Sequence, residues 1–243
     1  MNNMAKKFAL MTASLMIAAF LAGCGGASKP ETVTEAPTET AAVSGTDTEL
    51  LELMSNSIDA VITFTDGKTV ELELYPDIAP KTVANFINYV NQGFYDGTII
   101  HRVVDGFVIQ GGGYDAELNR KEVSETVEGE FAENGTNNPL HHDRGVISMA
   151  RIPSEPDSAS TQFFIVVEDN RESLDGQYAA FGRVRSGMEV VDAIASKAKM
   201  KDPPAGLSDM PEEIYEIRSI TIVESENTEA PAEEKTKKED DAT

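Results

Sequence analysis

The sequence predicts a mainly β fold, an antiparallel barrel of seven or eight strands with two helices. In several hydrophobic segments apolar and polar residues alternate, which is the period of a strand with one face in water. Two segments instead repeat their apolar residues every three or four positions, as an amphipathic helix does. Strands and helices do not alternate regularly along the chain, and this argues against a doubly wound parallel sheet.

These patterns are confined to residues 58–223, where we predict a single folded domain. Its first two strands, residues 58–64 and 68–74, are joined by Asp66 and Gly67, a dipeptide typical of hairpin turns. A helix is predicted from Pro80 to a C-terminal cap near Gly93. The remaining predicted elements are two short strands within residues 99–113, strands at 145–150, 162–167 and 177–184, a helix near 188–195 and a last strand at 216–223.

The N-terminus resembles a bacterial lipoprotein precursor. Residues 1–23 combine two lysines, Lys6 and Lys7, with an apolar stretch that is too short to be a comfortable transmembrane helix. The sequence L-A-G-C then ends at Cys24, the only cysteine of the chain. We expect cleavage before Cys24 and a lipid anchor on its thiol, on the extracytoplasmic face of a membrane and most naturally at a Gram-positive cell surface. A plain secretory signal with a chance cysteine is the alternative.

Both ends of the chain outside the predicted domain are polar. Residues 24–57, beginning with the lipidated cysteine, and residues 224–243 are rich in Thr, Glu, Ala and Pro, so we predict a disordered tether and an acidic tail, with a possible short helix at residues 50–54. A formal charge of -22 argues against nucleic acid as a partner, and the single cysteine excludes an internal disulfide and a cysteine-based zinc site. We expect a monomer.

Residues 99–113 are the chemically most informative stretch. Arg102, Phe107 and Gln110 lie among β-branched residues, a bend is predicted at Asp105 and Gly106, and three glycines follow. By these residues alone, Arg102 is either one half of a surface salt bridge or a hydrogen-bond donor that faces a groove floored by Phe107.

Three sequence blocks carry a family likeness. The first reads I-H-R-V-V-D-G-F-V-I-Q-G-G over residues 100–112. The second combines S-M-A at 148–150 with S-T-Q-F-F-I at 160–165, and the third combines L-D-G at 174–176 with F-G-R-V at 181–184. In this order the blocks resemble a cyclophilin-type peptidyl-prolyl cis-trans isomerase, and the resemblance extends over residues 60–223.

The resemblance implies a closed eight-stranded antiparallel β-barrel capped by two α-helices, with the active groove on its outer surface and no cofactor. It makes Arg102 the catalytic cation and proline-containing segments of other polypeptides the substrate. The residues that it assigns to substrate binding are Phe107, Val108, Gln110, Met149, Ala150, Arg151, Gln162, Phe164, Leu174 and Tyr178. Two positions differ from many family members: Ser173 replaces a tryptophan, which disfavours tight cyclosporin binding, and Tyr178 replaces a histidine.

Several other functions compete with this interpretation. A proline-binding module without turnover, and a general holdase that depends on the acidic tails, are the two competing hypotheses. His141, His142 and Asp143 do not complete a set of metal ligands, and we expect His101 to pack rather than to act as a base. Gly111, Gly113 and Ala116 match a dinucleotide fingerprint only weakly, because no βαβ unit follows, and no serine hydrolase motif is present.

Overall fold

A computed structural model describes residues 45–223 of the chain. The predicted signal segment, Cys24, the greater part of the tether and the acidic tail lie outside the described residues. Helix α1 spans Gly45–Met54, within the segment predicted as tether, and it is longer than the short helix expected there. The described part of the chain holds no helix long and apolar enough to cross a membrane.

The other elements follow the sequence prediction closely. The strands are β1 (Ile58–Phe64), β2 (Thr69–Leu74), β3 (Thr98–Val104), β4 (Val108–Asp115), β5 (Val146–Met149), β6 (Phe163–Val166), β7 (Ala180–Ser186) and β8 (Tyr215–Val223). The helices after α1 are α2 (Pro80–Asn91), α3 (Arg171–Leu174) and α4 (Met188–Ala195), with a 3-10 turn at Ala132–Asn134.

The eight strands close into an antiparallel barrel in the order β1-β2-β7-β5-β6-β4-β3-β8. Closure is made by β8, which pairs with β1 over most of its length and with β3 at its N-terminal end. The predicted barrel is therefore confirmed, and closure leaves no free sheet edge for another chain to extend.

The barrel interior is filled by aromatic side chains from strands, a loop and helix α2. Phe86 of α2 lies 5.2 Å from Tyr95, 5.9 Å from Phe163 and 5.3 Å from Phe181, measured between ring centroids. All four rings are fully buried. Helix α2 therefore caps the barrel by inserting one apolar face, as its helical period predicted.

The polar segment between β4 and β5 stabilises the start of helix α2. No side-chain cap comes from Ala79, which precedes the helix. Instead the buried carboxylate of Glu130 accepts hydrogen bonds from the backbone N–H groups of Lys81 and Thr82, at 3.0 and 2.8 Å, and from the Thr82 hydroxyl at 2.7 Å. A carboxylate is favourable at this position because helix N-termini carry unpaired N–H groups and a partial positive charge.

One strand begins later than the sequence pattern predicted. Residues 177–179 were expected to start β7, but the strand begins at Ala180. The Gln177 N–H donates to the Leu174 carbonyl at 3.1 Å, so this part of the chain turns back on α3 before it enters the barrel. The turn leaves the Tyr178 side chain on the outer surface.

Candidate active site

A β-bulge on strand β3 directs Arg102 away from the core. Ile100 pairs with Gly111 and Arg102 pairs with Gln110, so His101 is an extra residue on β3. Ile100 and Val103 both pack in the barrel core, and Arg102 lines a surface cavity. Without the bulge Ile100 and Arg102 would share one face of the strand, because side chains two residues apart point the same way.

The sheet register brings distant parts of the sequence beside Arg102. Arg102 pairs with Gln110 across β3 and β4, and Gln110 pairs with Phe164 across β4 and β6. Phe164 in turn pairs with Ser148 of β5. Residues in such a row share one face of the sheet, so the motifs around residues 102, 110, 148 and 164 form one continuous surface.

A surface cavity of about 380 Å³ lies over this row. Phe164 is 4 % exposed and forms its floor, whereas the Arg102 side chain is 28 % exposed at its edge. The lining residues are Arg102, Phe107, Val108, Gln110, Ala150, Arg151, Phe164, Leu174 and Tyr178. The cavity thus joins two cations and one amide to an apolar pocket, and nine of the eleven residues assigned from the resemblance line it.

Gln162 lies in a second depression that continues from the first. Its Oε1 accepts a hydrogen bond from Gln110 Nε2 at 3.0 Å. Gln110, Ala150 and Arg151 line both depressions, and the second, of about 650 Å³, also includes Arg120 and the loop residues Ile152, Pro153, Ser158 and Ser160. An extended peptide can therefore run from one depression into the other past the two glutamines.

The assignment of Met149 to the groove is wrong. Its side chain is 1 % exposed and belongs to the barrel core. Ala150, the next residue, lines the cavity instead. Successive residues of an extended chain point to opposite sides, so the S-M-A block contributes its last residue to the groove and its methionine to the core.

Arg151 and Tyr178 form one wall of the cavity. The Arg151 guanidinium carbon lies 5.0 Å from the ring centres of both Phe131 and Tyr178, so the cation stacks between two aromatic faces. Arg151 Nε also donates to the Gln177 carbonyl at 2.8 Å. Tyr178 meets Phe164 edge to face at 5.4 Å, so this wall holds the cavity floor in place.

Ser173 does not line the cavity. Its hydroxyl donates to the carbonyl of Asn170, the residue before the short helix α3, at 3.2 Å. The position where the resemblance leads one to expect a tryptophan therefore contributes no side chain to the cavity.

A polar group that was not predicted from the sequence as part of the site lies behind Phe164. The His142 ring stacks on Phe164 at 6.1 Å with an angle of 20° between the planes. Its Nδ1 bonds to Asp175 Oδ1 at 2.8 Å and its Nε2 lies 3.1 Å from Ser148 Oγ. His141 Nδ1 binds the other Asp175 oxygen at 2.6 Å. Asp175 directly follows Leu174, so one carboxylate ties together two sides of the pocket.

The pKa values of this group follow from burial and hydrogen bonding. Burial lowers the pKa of His142, although the nearby Asp175 carboxylate acts in the opposite direction. Burial alone would raise the pKa of Asp175, but hydrogen bonds from the His142 backbone and from both histidine side chains lower it. Ser148 is completely buried, so this Asp-His-Ser arrangement cannot reach a substrate and serves to hold Phe164.

His101 is a packed residue, as expected. It is 4 % exposed and its ring centre lies 4.8 Å from that of Tyr114. Burial, with a smaller effect from the charge of Arg102, lowers its pKa to about 4. The imidazole is therefore neutral at physiological pH.

Comparison with known proteins identifies the family. Residues 60–222 match the family model described as cyclophilin type peptidyl-prolyl cis-trans isomerase/CLD. The chain belongs to the cyclophilin-type peptidyl-prolyl cis-trans isomerases. It is 40 % identical over 173 residues to peptidyl-prolyl cis-trans isomerase B of Escherichia coli, covering 68 % of this chain and all of the relative. It is 48 % identical over 139 residues to isomerase A of Dickeya dadantii, covering 56 % of this chain and 70 % of the relative.

Solved structures agree with this assignment. A cyclophilin-type isomerase of Cryptosporidium parvum superposes with a TM-score of 0.57 at 26 % identity, over 70 % of this chain and 99 % of that one. A second structure of the same protein was determined in the presence of the dipeptide Ala-Pro, with a TM-score of 0.56 at 26 % identity, over 69 % of this chain and 99 % of that one. The family carries isomerase activity, so this chain is a cyclophilin-type peptidyl-prolyl isomerase whose barrel presents a groove on its outer surface.

Proposed function

We propose that this isomerase acts on X-Pro bonds of exported or surface proteins and assists their folding outside the cytoplasm. The observation that supports this location is the sequence L-A-G-C at residues 21–24, which follows two lysines and an apolar stretch and holds the only cysteine of the chain. A lipid on Cys24 would keep the enzyme at the membrane surface, where exported chains emerge unfolded. The acidic residues that flank the domain favour solubility at that surface.

The chemistry requires a site that lowers a rotational barrier without breaking a bond. Rotation about the peptide bond is opposed by about 18–20 kcal/mol because the amide is conjugated, and X-Pro bonds exchange over about tens to hundreds of seconds. Exchange on the millisecond scale requires a reduction of about 6 kcal/mol, at roughly 1.4 kcal/mol for each factor of ten. Neither a nucleophile nor a proton shuttle is needed.

In this proposal Arg102 stabilises the twisted amide. Its guanidinium stays charged and offers several fixed donors. One donor can bind the carbonyl of the proline residue while another faces the imide nitrogen, which becomes pyramidal only when conjugation is lost. Such a donor binds the twisted state more strongly than either planar isomer, and this difference is what accelerates the exchange.

The remaining cavity residues hold the substrate while the bond rotates. The proline ring would pack on Phe164, between Phe107 and Leu174, and the substrate backbone would meet Gln110 and Gln162. Holding the proline ring fixed lets the preceding residue turn, so the pocket supplies orientation and Arg102 supplies electrostatic stabilisation.

Location can be tested with full-length chain expressed in a Gram-positive host that processes lipoproteins. Wild type should incorporate labelled palmitate, sediment with membranes and be digested by protease added to intact protoplasts. Cys24→Ser should lose the label and leave the membrane fraction. An unlabelled wild-type protein that is protected from added protease would contradict the proposed location, although the isomerase assignment would still stand.

The role in folding needs a separate measurement. We expect catalytic amounts of the protein to accelerate the slow, proline-limited refolding phase of an exported protein, and Arg102→Ala to leave that phase at its spontaneous rate. If the protein accelerated cis-trans exchange in short peptides but not the refolding of a protein, its activity would be limited to exposed X-Pro bonds.

A further inference from the structure

Arg102 has an ionic partner that comes from a distant loop. Its Nε lies 3.7 Å from Oδ2 of Asp209, in the long connection between α4 and β8. Among the described residues no other ion pair involves Arg102. The two side chains are 28 % and 35 % exposed, so the pair lies at the rim of the cavity and is partly shielded from water.

Asp209 is held by two hydrogen bonds of its own and by a third between its neighbours in the loop. Its carbonyl accepts a hydrogen bond at 2.8 Å from the N–H of Val103, the neighbour of Arg102. Its Oδ1 accepts from Lys199 Nζ at 3.0 Å. The Met200 N–H donates to the Met210 carbonyl at 2.8 Å, and Met210 is buried, so the two arms of the loop are fastened beside Asp209.

The backbone of Asp209 has a conformation that side chains disfavour. Its φ is +51°, and Leu118 is the only other non-glycine residue of the described chain with a positive φ. Most residues disfavour this left-handed conformation, which Gly, Asn and Asp tolerate best. Such outliers persist where the surrounding contacts determine them, often beside functional groups.

We propose that Asp209 is a positioning residue for Arg102. At 3.7 Å from Nε the carboxylate is too far for a hydrogen bond, but its charge attracts that edge of the guanidinium and favours orientations that leave the two terminal amino groups as donors toward the groove. The Val103–Asp209 hydrogen bond sets the distance between the loop and strand β3, so the carboxylate and the cation keep their relative position as substrate enters. This inference rests on the proposed catalytic role of Arg102.

A surface ion pair without a role in catalysis is the competing explanation. Such a pair typically contributes little to stability, and its loss would not change turnover. The test must therefore separate the charge of Asp209 from its backbone conformation and must measure kcat apart from KM.

Two neutral variants preserve the left-handed backbone, Asp209→Asn and Asp209→Gly. Both tolerate a positive φ, and neither supplies a negative charge. Glu213→Gln is the matched control. It removes one carboxylate from the same loop, where that group binds Lys197 at 3.0 Å and forms no ion pair with Arg102. Exchange of an Ala-Pro peptide by NMR gives kcat and KM, and the ¹⁵Nε signal of Arg102 reports its ionic partner.

We expect both Asp209 variants to lower kcat about tenfold with KM nearly unchanged, since a misplaced catalytic group loses rate rather than affinity. The Arg102 ¹⁵Nε signal should shift in both variants and stay fixed in Glu213→Gln, whose kcat should match wild type. Asp209 variants with wild-type kcat would overturn the inference. If the wild-type protein did not accelerate peptide exchange, or if Arg102→Ala kept full activity, the proposed mechanism itself would be overturned. The two failures are therefore distinguishable.

Discussion

The two neighbouring phenylalanines of strand β6 show how one strand serves two purposes. Phe163 is fully buried in the barrel and packs edge to face on Phe86, with ring centres 5.9 Å apart. Phe164 is 4 % exposed and forms the floor of the surface groove, against Tyr178 and His142. Both rings are covered, yet the first packs only against other core side chains and the second leaves one face for a ligand.

Burial alone does not distinguish a core residue from a residue of the site. What distinguishes core residues from groove residues is the side of the barrel wall on which the side chain lies. The same alternation applies to Met149 and Ala150, of which the alanine lines the groove and the methionine lies in the core. Changes on the inner face should therefore affect stability, and changes on the outer face should affect turnover.

The largest expected effect is on the inner face. Phe163→Ala should lower the free energy of unfolding by about 3–5 kcal/mol, since it removes a buried ring and leaves a cavity among aromatic residues. Urea unfolding measures this loss. At a temperature where the variant remains folded, kcat/KM should stay close to wild type. A folded variant with little loss of stability but strongly reduced kcat/KM would break the distinction between the two faces.

Phe164→Ala is the matched change on the outer face. It should reduce kcat/KM roughly 30-fold, equivalent to about 2 kcal/mol, because the proline ring loses the apolar floor of its pocket. Peptide exchange measured by NMR gives this ratio. Its loss of stability should be smaller than that of Phe163→Ala because water can occupy the open side of the space. An equal loss of stability with unchanged kcat/KM would show that Phe164 is an ordinary core residue.

His101 makes the stability of the fold depend on pH. Its folded pKa of about 4 lies below the ordinary value of 6.5, so the folded state binds fewer protons than the unfolded state between these values. Stability is therefore lost as the pH falls below about 6.5, and the loss should reach about 2 kcal/mol at pH 5. His101→Phe keeps an aromatic ring beside Tyr114. Between pH 7.5 and 5 its free energy of unfolding should fall by about 2 kcal/mol less than that of wild type. Urea unfolding at the two pH values makes this comparison, and equal losses would show that the pKa of His101 is not lowered by folding.

The smallest expected effect concerns the wall of the groove. Arg151→Lys keeps the charge but loses the flat guanidinium that stacks between Phe131 and Tyr178. We expect kcat/KM to fall roughly fivefold, equivalent to about 1 kcal/mol of transition-state stabilisation, because Tyr178 is less firmly held against Phe164. Steady-state measurement at several peptide concentrations checks this value. An unchanged kcat/KM would mean that Tyr178 keeps its place without Arg151.

Local signals made most of the fold predictable. The Asp66-Gly67 turn, the proline at the start of α2 and the alternating pattern of β8 act within a few residues. The resemblance predicted the residues of the two depressions as well, with the exception of Met149. That error arose because a motif specifies residue types without stating which side of the wall each one occupies.

Features that depend on distant pairing were not predictable from one sequence. The bulge at His101 exists only relative to its partner strand β4, and the cap on α2 comes from Glu130, 48 residues beyond the Thr82 N–H that it binds. The Arg102–Asp209 pair joins a strand to a Pro-rich loop that has no apolar pattern. Lipidation at Cys24 and the extracytoplasmic location stay predictions, because those residues lie outside the described chain.

The role of Arg102 is tested most directly by cis-trans exchange of a short Ala-Pro peptide, measured by NMR with wild type, Arg102→Lys and Arg102→Ala. We predict fast exchange with wild type, partial loss with lysine, and a loss of roughly 10²–10³-fold with alanine while peptide binding is largely kept. Lysine keeps the charge without the planar fork, so it separates the effect of charge from that of geometry. Wild-type rates in Arg102→Ala would contradict the central claim that this cation stabilises the twisted amide.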